Sequence, residues 1–93
     1  MIKSFKCKEA EKIFNREFSK KLPNDIQRVA ARRLMVLDFA QVITDLKSPP
    51  ANHLEALKNN RQGQHSIRIN DQWRVCFTWF ENAAYDVEIV DYH

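Results

Sequence analysis

Apolar residues follow two different periods along this chain, and the change between them falls near a pair of prolines. Ala10, Ile13, Phe14 and Phe18 recur at helical spacing with charges between them, which predicts an amphipathic helix over roughly 8–19. Pro23 followed by Asn24-Asp25 opens a second helix, with acidic or capping residues where its first N–H groups need acceptors. On that helix Ile26, Val29, Ala30, Leu34, Leu37 and Ala40 share one face. Arg33 falls in the middle of this face. Either its stem lies along the core with the head reaching out, or the helix is phased slightly differently. Ser48-Pro49-Pro50 is expected to end all helix, because the two prolines remove donors and hold the backbone extended.

Beyond the prolines the period drops to two. His65, Ile67 and Ile69 alternate with Ser66, Arg68 and Asn70, and Asn70-Asp71 marks a tight turn. Trp73, Val75, Phe77 and Trp79 form the apolar side of the next strand, a stripe read as core. Glu81-Asn82 gives a second turn, and Tyr85, Val87 and Ile89 lead the last strand. Residues 2–6 are read as a short first strand. Helices followed by strands predict a single α+β domain over 1–93, two helices covering one face of a mostly antiparallel sheet of four to five strands. The other face is then partly open. By parity it carries Arg68 and Arg74, with Lys58 and Arg61 nearby from the preceding segment.

Composition narrows the function classes. Hydrophobic residues at 44% and charged residues at 29% are ordinary for a folded domain, so disorder is not expected. No apolar run is long enough to span a membrane. Met1-Ile2-Lys3-Ser4-Phe5-Lys6 has a basic start without an apolar stretch after it, so secretion is not expected. Cys7 and Cys76 stand alone, and His53, His65 and His93 lack metal-ligand spacing. A reduced, cytoplasmic protein without a metal or cofactor is expected. Gly63 is the only glycine, which excludes a glycine-rich phosphate loop. The net charge of +3 is mild, but basic residues recur from Lys20 to Arg74. They suit a polyanion partner, or simply form a solvated face.

A longer pattern is more specific. Pro49-Pro50, Leu54-Glu55-Ala56-Leu57-Lys58, the block from Arg61 to Arg74 and the closing Val87-Glu88-Ile89-Val90-Asp91-Tyr92-His93 together resemble the HigB branch of the RelE/ParE toxin superfamily. The resemblance spans essentially the whole chain. It implies a RelE-like fold and a toxin held inactive by a HigA-type helix-turn-helix antitoxin, which also represses the shared operon. Operator DNA is then reached only through the antitoxin. The freed toxin is expected to enter the ribosomal A site and cut messenger RNA there as an endoribonuclease, without metal or cofactor.

Metal-free cleavage uses the RNA's own 2′-OH as nucleophile. The protein then supplies a base near that hydroxyl, an acid near the leaving 5′-oxygen and cations for the charge gathering on phosphorus. The resemblance assigns the scissile phosphate first to Arg74, whose planar fork suits two oxygens at once. It assigns charge neutralisation to Lys58 as well, and Arg61 and Arg68 are read as further RNA-binding cations. Asp91, Tyr92 and His93 form its terminal group. His93 is suited to proton transfer, Asp91 to orienting it or acting as base, and Tyr92 to bonding the ribose or stacking on a base. Where some relatives carry histidine, in the pattern Leu-His-x-Leu-Lys, this chain has Glu55. The carboxylate is a substitute base that also repels phosphate, so lower or differently tuned activity is expected. His65 is read as a packing residue.

Two other functions fit the same fold: a ParE-like poison of DNA gyrase, and an inactive binding partner of the antitoxin. Fold does not separate them, because function lives in the site. The terminal Asp-Tyr-His and the Lys58–Arg74 set favour RNA.

Overall fold

The change of period at the prolines separates helices from strands in the computed structural model, which describes residues 1–92. Helix α1 covers Lys8–Phe14 and α2 covers Asn24–Phe39. Strands β1 (Glu55–Ala56), β2 (Gln64–Arg68), β3 (Trp73–Phe80) and β4 (Ala83–Asp91) form one antiparallel sheet in sequence order. The segment read as a first strand makes only two isolated parallel bridges to β4, Ile2 with Ala84 and Phe5 with Val87. The structure thus bears out the α+β architecture, with four full strands and a parallel N-terminal fringe.

Helix α1 stops five residues earlier than its apolar spacing predicts. Asn15 caps it, and Arg16 follows with φ 66°. The amide of Glu17 bonds to the Lys12 carbonyl (2.8 Å) and that of Arg16 to the Ile13 carbonyl (3.1 Å). This is the Schellman arrangement, built here around an arginine in place of the usual glycine. A side-chain clamp holds the chain beyond it. Gln27 Nε2 donates to the carbonyls of Ser19 (2.7 Å) and Leu22 (3.0 Å), its Oε1 accepts from the Ser19 amide (3.1 Å), and the Ser19 hydroxyl donates to Glu9. Phe18, expected on the inner face, is therefore 61% exposed.

Helix α2 keeps the expected phase. Ile26, Ala30, Leu34 and Leu37 are buried, joined by Ala40 just beyond the end, while Val29 is half-buried. Asp25 lies in the first turn, but no side chain caps the N-terminus. Arg33 settles its two alternatives: Nε donates to the Arg68 carbonyl at 2.8 Å, so the stem crosses the core edge and the head ties α2 to the end of β2. The prolines do not end all helical structure. A five-residue 3₁₀ helix at Ile43–Lys47 precedes them, and single 3₁₀ turns follow at Pro50–Asn52 and Asn59–Arg61, where Pro50 at a first position is compatible with the turn.

The core lies between the helices and one sheet face, where Leu34, Leu37 and Leu46 meet Ile67, Val75, Phe77, Val87 and Ile89. Asn70 Oδ1 accepts from the amides of Gln72 (2.9 Å) and Trp73 (2.8 Å), making the expected β2–β3 turn. Glu81 and Asn82 both have positive φ, the two-residue hairpin turn that matches strand twist. Strand β4 holds one surprise. Thr78 pairs with Tyr85 but Cys76 pairs with Glu88, so β4 carries an extra residue, with Asp86 at φ 52°. Before this bulge Ala84, not Tyr85, takes the inner face; after it Val87 and Ile89 do, as expected. Leu34 has no exposed surface. Leu34→Ala is expected to lower unfolding free energy by about 2–5 kcal/mol, measured by urea denaturation.

Candidate active site

Strand alternation that sends Ile67, Val75 and Phe77 into the core sends Ser66, Arg68, Arg74 and Cys76 to the other side. Arg68 and Arg74 stand directly opposite each other in register, a repulsive placement unless each is drawn elsewhere. They are. Arg68 Nη2 pairs with exposed Asp71 at the turn. Arg74 turns inward and is only 8% exposed.

All three nitrogens of Arg74 have partners. Nε donates to Ser66 Oγ at 2.7 Å, Nη2 donates to the His53 carbonyl, and Nη1 lies 3.4 Å from Glu55 Oε1. The guanidinium carbon also lies 5.8 Å from the centre of the Tyr92 ring, within cation–π range. Each contact has a local cause. Ser66 sits in β2 on the same face, fully buried. Glu55 arrives because β1 pairs with β2, opposite Ser66. The His53 carbonyl is aimed by a left-handed residue (φ 44°) closing the 3₁₀ turn. Beneath it buried Asn52 donates from Nδ2 to the carbonyls of Leu46 and Ser48, both at 3.2 Å. Tyr92 is held by its amide, which bonds to the Gln72 carbonyl at 2.6 Å.

The structure thus brings Arg74, Glu55 and Tyr92 together, with Tyr92 42% exposed. Asp91 is exposed and accepts from Gln72 Nε2 at 3.1 Å. Its register partner is Trp73, so strand alternation turns it away from Arg74. Lys58 is exposed, between β1 and the Asn59–Arg61 turn. Arg61 reaches Gln64 Oε1 at 3.2 Å and Glu88 Oε2 at 3.6 Å, and Lys6 approaches the same Glu88 oxygen at 3.6 Å. His93 lies outside the described residues. Sequence reasoning missed Ser66, Glu88, Lys6 and the His53 carbonyl. Parity alone points to Ser66; Lys6 and Glu88 meet only through the fringe alongside β4.

Two further side chains have shifted acidity. Cys76 is fully buried on this face, and burial, reinforced by Glu88 and opposed by Arg61, pushes its thiol up to about 11. It stays protonated and is no nucleophile at neutral pH. His65 stacks on Phe77 with centroids 6.1 Å apart, and burial lowers its pKa. That is the packing role its sequence position suggests. Among the described residues no three of His, Cys, Asp and Glu gather into a set that could hold a metal ion. The positive charge the face itself provides comes from side chains.

A double-mutant cycle between Ser66→Ala and Arg74→Ala, read by denaturation, is expected to give a coupling of about 1.5–3 kcal/mol, since the bond is buried and charge-assisted. Cys76 is expected to escape alkylation at pH 8 in the folded protein and to be labelled only after denaturation, as mapped by peptide mass spectrometry.

Known proteins resemble this chain over nearly all of its length. Residues 3–93 match the family model of the RelE-like toxin of type II toxin–antitoxin system HigB. Toxin HigB-1 of Vibrio cholerae is 38% identical over 85 residues, 90% of each chain. Endoribonuclease HigB of Proteus vulgaris is 34% identical over 94 residues, the whole of both chains. In structure, a chain of the YoeB-YefM complex from Staphylococcus aureus aligns with TM-score 0.56 at 20% identity, covering 100% of this chain and 98% of that one, and shares the fold. With the family model spanning nearly every residue, this chain belongs to the HigB family of RelE-like toxins of type II toxin–antitoxin systems.

Proposed function

We propose that this toxin is a ribosome-dependent messenger-RNA endonuclease that cuts by attack of the RNA 2′-OH, and that the face around Arg74 is its active site. The observation that carries the reading is the fixed guanidinium of Arg74, bounded by an exposed carboxylate and an aromatic ring. Ser66 and the His53 carbonyl orient the fork from within. Glu55, 55% exposed at its side chain, is the contact a phosphate exchanges for. A phosphate in that place receives Nη1 of a guanidinium that needs no further ordering, the preorganisation that stabilises charge developing on phosphorus. Displaced from Arg74, Glu55 is free to accept the 2′-OH proton; Asp91 and His93 are the other groups proposed for proton transfer. As the 2′-oxygen bonds to phosphorus the bond to the 5′-oxygen breaks, and a proton given by His93 or Asp91 in its acid form completes the 5′-hydroxyl, leaving a 2′,3′-cyclic phosphate. Tyr92 offers its ring to a base. Lys58, Arg61 and Arg68 hold the flanking backbone.

In this reading the ribosome supplies the positioning, holding the codon's phosphate in place where free RNA is left to move. The relative from Proteus vulgaris, which matches this chain from end to end, carries the name endoribonuclease. We further propose a HigA-type helix-turn-helix antitoxin as partner, contact with operator DNA only through it, and a cytoplasmic site of action. Among the described residues no helix is long and apolar enough to cross a membrane.

Primer extension is expected to map cuts inside translated codons and almost none in naked RNA; equal cutting without ribosomes overturns the reading. Arg74→Ala is expected to lower cleavage by about 10²–10³-fold. Expressed alone, Arg74→Ala and a chain lacking Asp91-Tyr92-His93 should permit growth while still binding the antitoxin. A DNA-damage response with intact messages would point to gyrase instead.

A further inference from the structure

The outer side of α2, across the sheet from Arg74, carries features that neither the core nor the proposed active site uses. Phe39 at the end of the helix is 74% exposed and Met35, one turn earlier, 37%. They border a hollow of about 510 Å³ lined also by Val36, Pro49, Arg32, Arg33 and Asp45, whose carboxylate is taken up by the amides of Gln41 and Val42. A second hollow, of about 280 Å³, lies towards α1 and is lined by Phe18, Ala31, Arg16 and Arg28, with Glu17 as its one carboxylate. Arg16 bridges the two, its Nη2 lying 3.4 Å from the Met35 sulfur. Phe18, displaced outward by the early end of α1, and Phe39 thus stand on one strip. Exposed aromatics rimmed by polar groups on so small a domain mark an interaction surface.

The charge on the strip selects its occupant. Arg16, Arg28, Arg32 and Arg33 all lie along it, and among the described residues none is in an ion pair. Arg33 spends its Nε on a neutral carbonyl. Its pKa is lowered by burial first, and then by the neighbouring charges of Arg32 and Arg68. Carboxylates brought from outside relieve that repulsion. A second copy of this chain instead brings four more arginines, so self-association is disfavoured. Nucleic acid supplies negative charge but has no aliphatic residue for a hollow walled by Val36, Met35 and Pro49. Apolar residues at one-turn spacing between arginines match one shape, a helix with an apolar stripe and acidic flanks.

We infer that the antitoxin holds this toxin by laying an acidic amphipathic helix along the outer face of α2, with apolar anchors beside Phe39 and Met35 and carboxylates against Arg28, Arg32 and Arg33. This rests on the toxin–antitoxin reading above and adds the surface and the chemistry of the contact.

The test uses the full-length toxin and the purified antitoxin of its own operon. Phe39→Glu and Arg32→Glu change exposed residues outside the proposed active site, and melting curves check that both fold. Calorimetric titration is expected to show each variant binding the antitoxin at least about 30-fold more weakly. Both should still arrest growth when expressed alone, but escape neutralisation by co-expressed antitoxin. Hydrogen exchange should show antitoxin-dependent protection of α2 in the wild type. Unchanged affinity of both variants, or protection confined to the sheet face around Arg74, overturns the inference. So does a wild-type dimer that Phe39→Glu dissociates, or an RNA oligonucleotide that protects α2 and loses affinity in Phe39→Glu. A wild-type chain that binds its antitoxin but neither arrests growth nor cuts RNA sinks the nuclease reading and leaves this one standing.

Discussion

A guanidinium leaves water at tolerable cost only where protein groups take up its nitrogens, and the polar side of this molecule is organised around that demand at Arg74. Burying a charge without partners costs several kcal/mol. A buried serine, a backbone carbonyl and a carboxylate from three different segments share the load. The irregular stretch between α2 and β1 makes sense in this light. Its 3₁₀ turns, the pinned Asn52 and the left-handed His53 all serve to present one carbonyl oxygen to the sheet. Of the three partners, only Glu55 is well exposed and replaceable. The arrangement is rigid where it orients the cation and open where a ligand enters.

The two sides of the sheet therefore have separate tasks. The helices satisfy one side with Leu34 and Leu37, so no polar group of the other side contributes to the core. Glu88 links parts distant in sequence, since Lys6 and Arg61 meet on its carboxylate. Cys76 beneath them is kept neutral by burial. Positive charge stands on the open face of the sheet and along α2, and the two regions meet where Arg33 bonds the Arg68 carbonyl.

Much of this was legible in the residue pattern. The shift from a period near 3.6 to a period of two located the helices and strands, and parity put Arg68 and Arg74 on the open face. The Asn70-Asp71 and Glu81-Asn82 turns carry their own chemistry and were readable. The end of α1 was not, because a Schellman cap is recognised by glycine and this one has Arg16. Strand β1 was missed because two residues have no period to detect. The contact of Glu55 with Arg74 follows from that pairing and was equally hidden. The helix reading of Phe18 failed with the α1 boundary, since beyond the cap three bonds from Gln27 to Ser19 and Leu22 hold the chain off the helical path.

The extra residue in β4 has a reach well beyond its own kink. From Phe80 with Ala83 to Thr78 with Tyr85, paired positions add to one total; from Cys76 with Glu88 to Trp73 with Asp91 they add to one more. With no bulge at Asp86, Arg74 would sit across from Ile89 and every later side chain would swap sides. Tyr92 would then leave the arginine, and Ile89 would turn from the core to solvent. The chemistry at the end of the chain is thus timed by a miscount six residues upstream, and homologues that gain or lose a residue there must do so in compensated pairs to keep it.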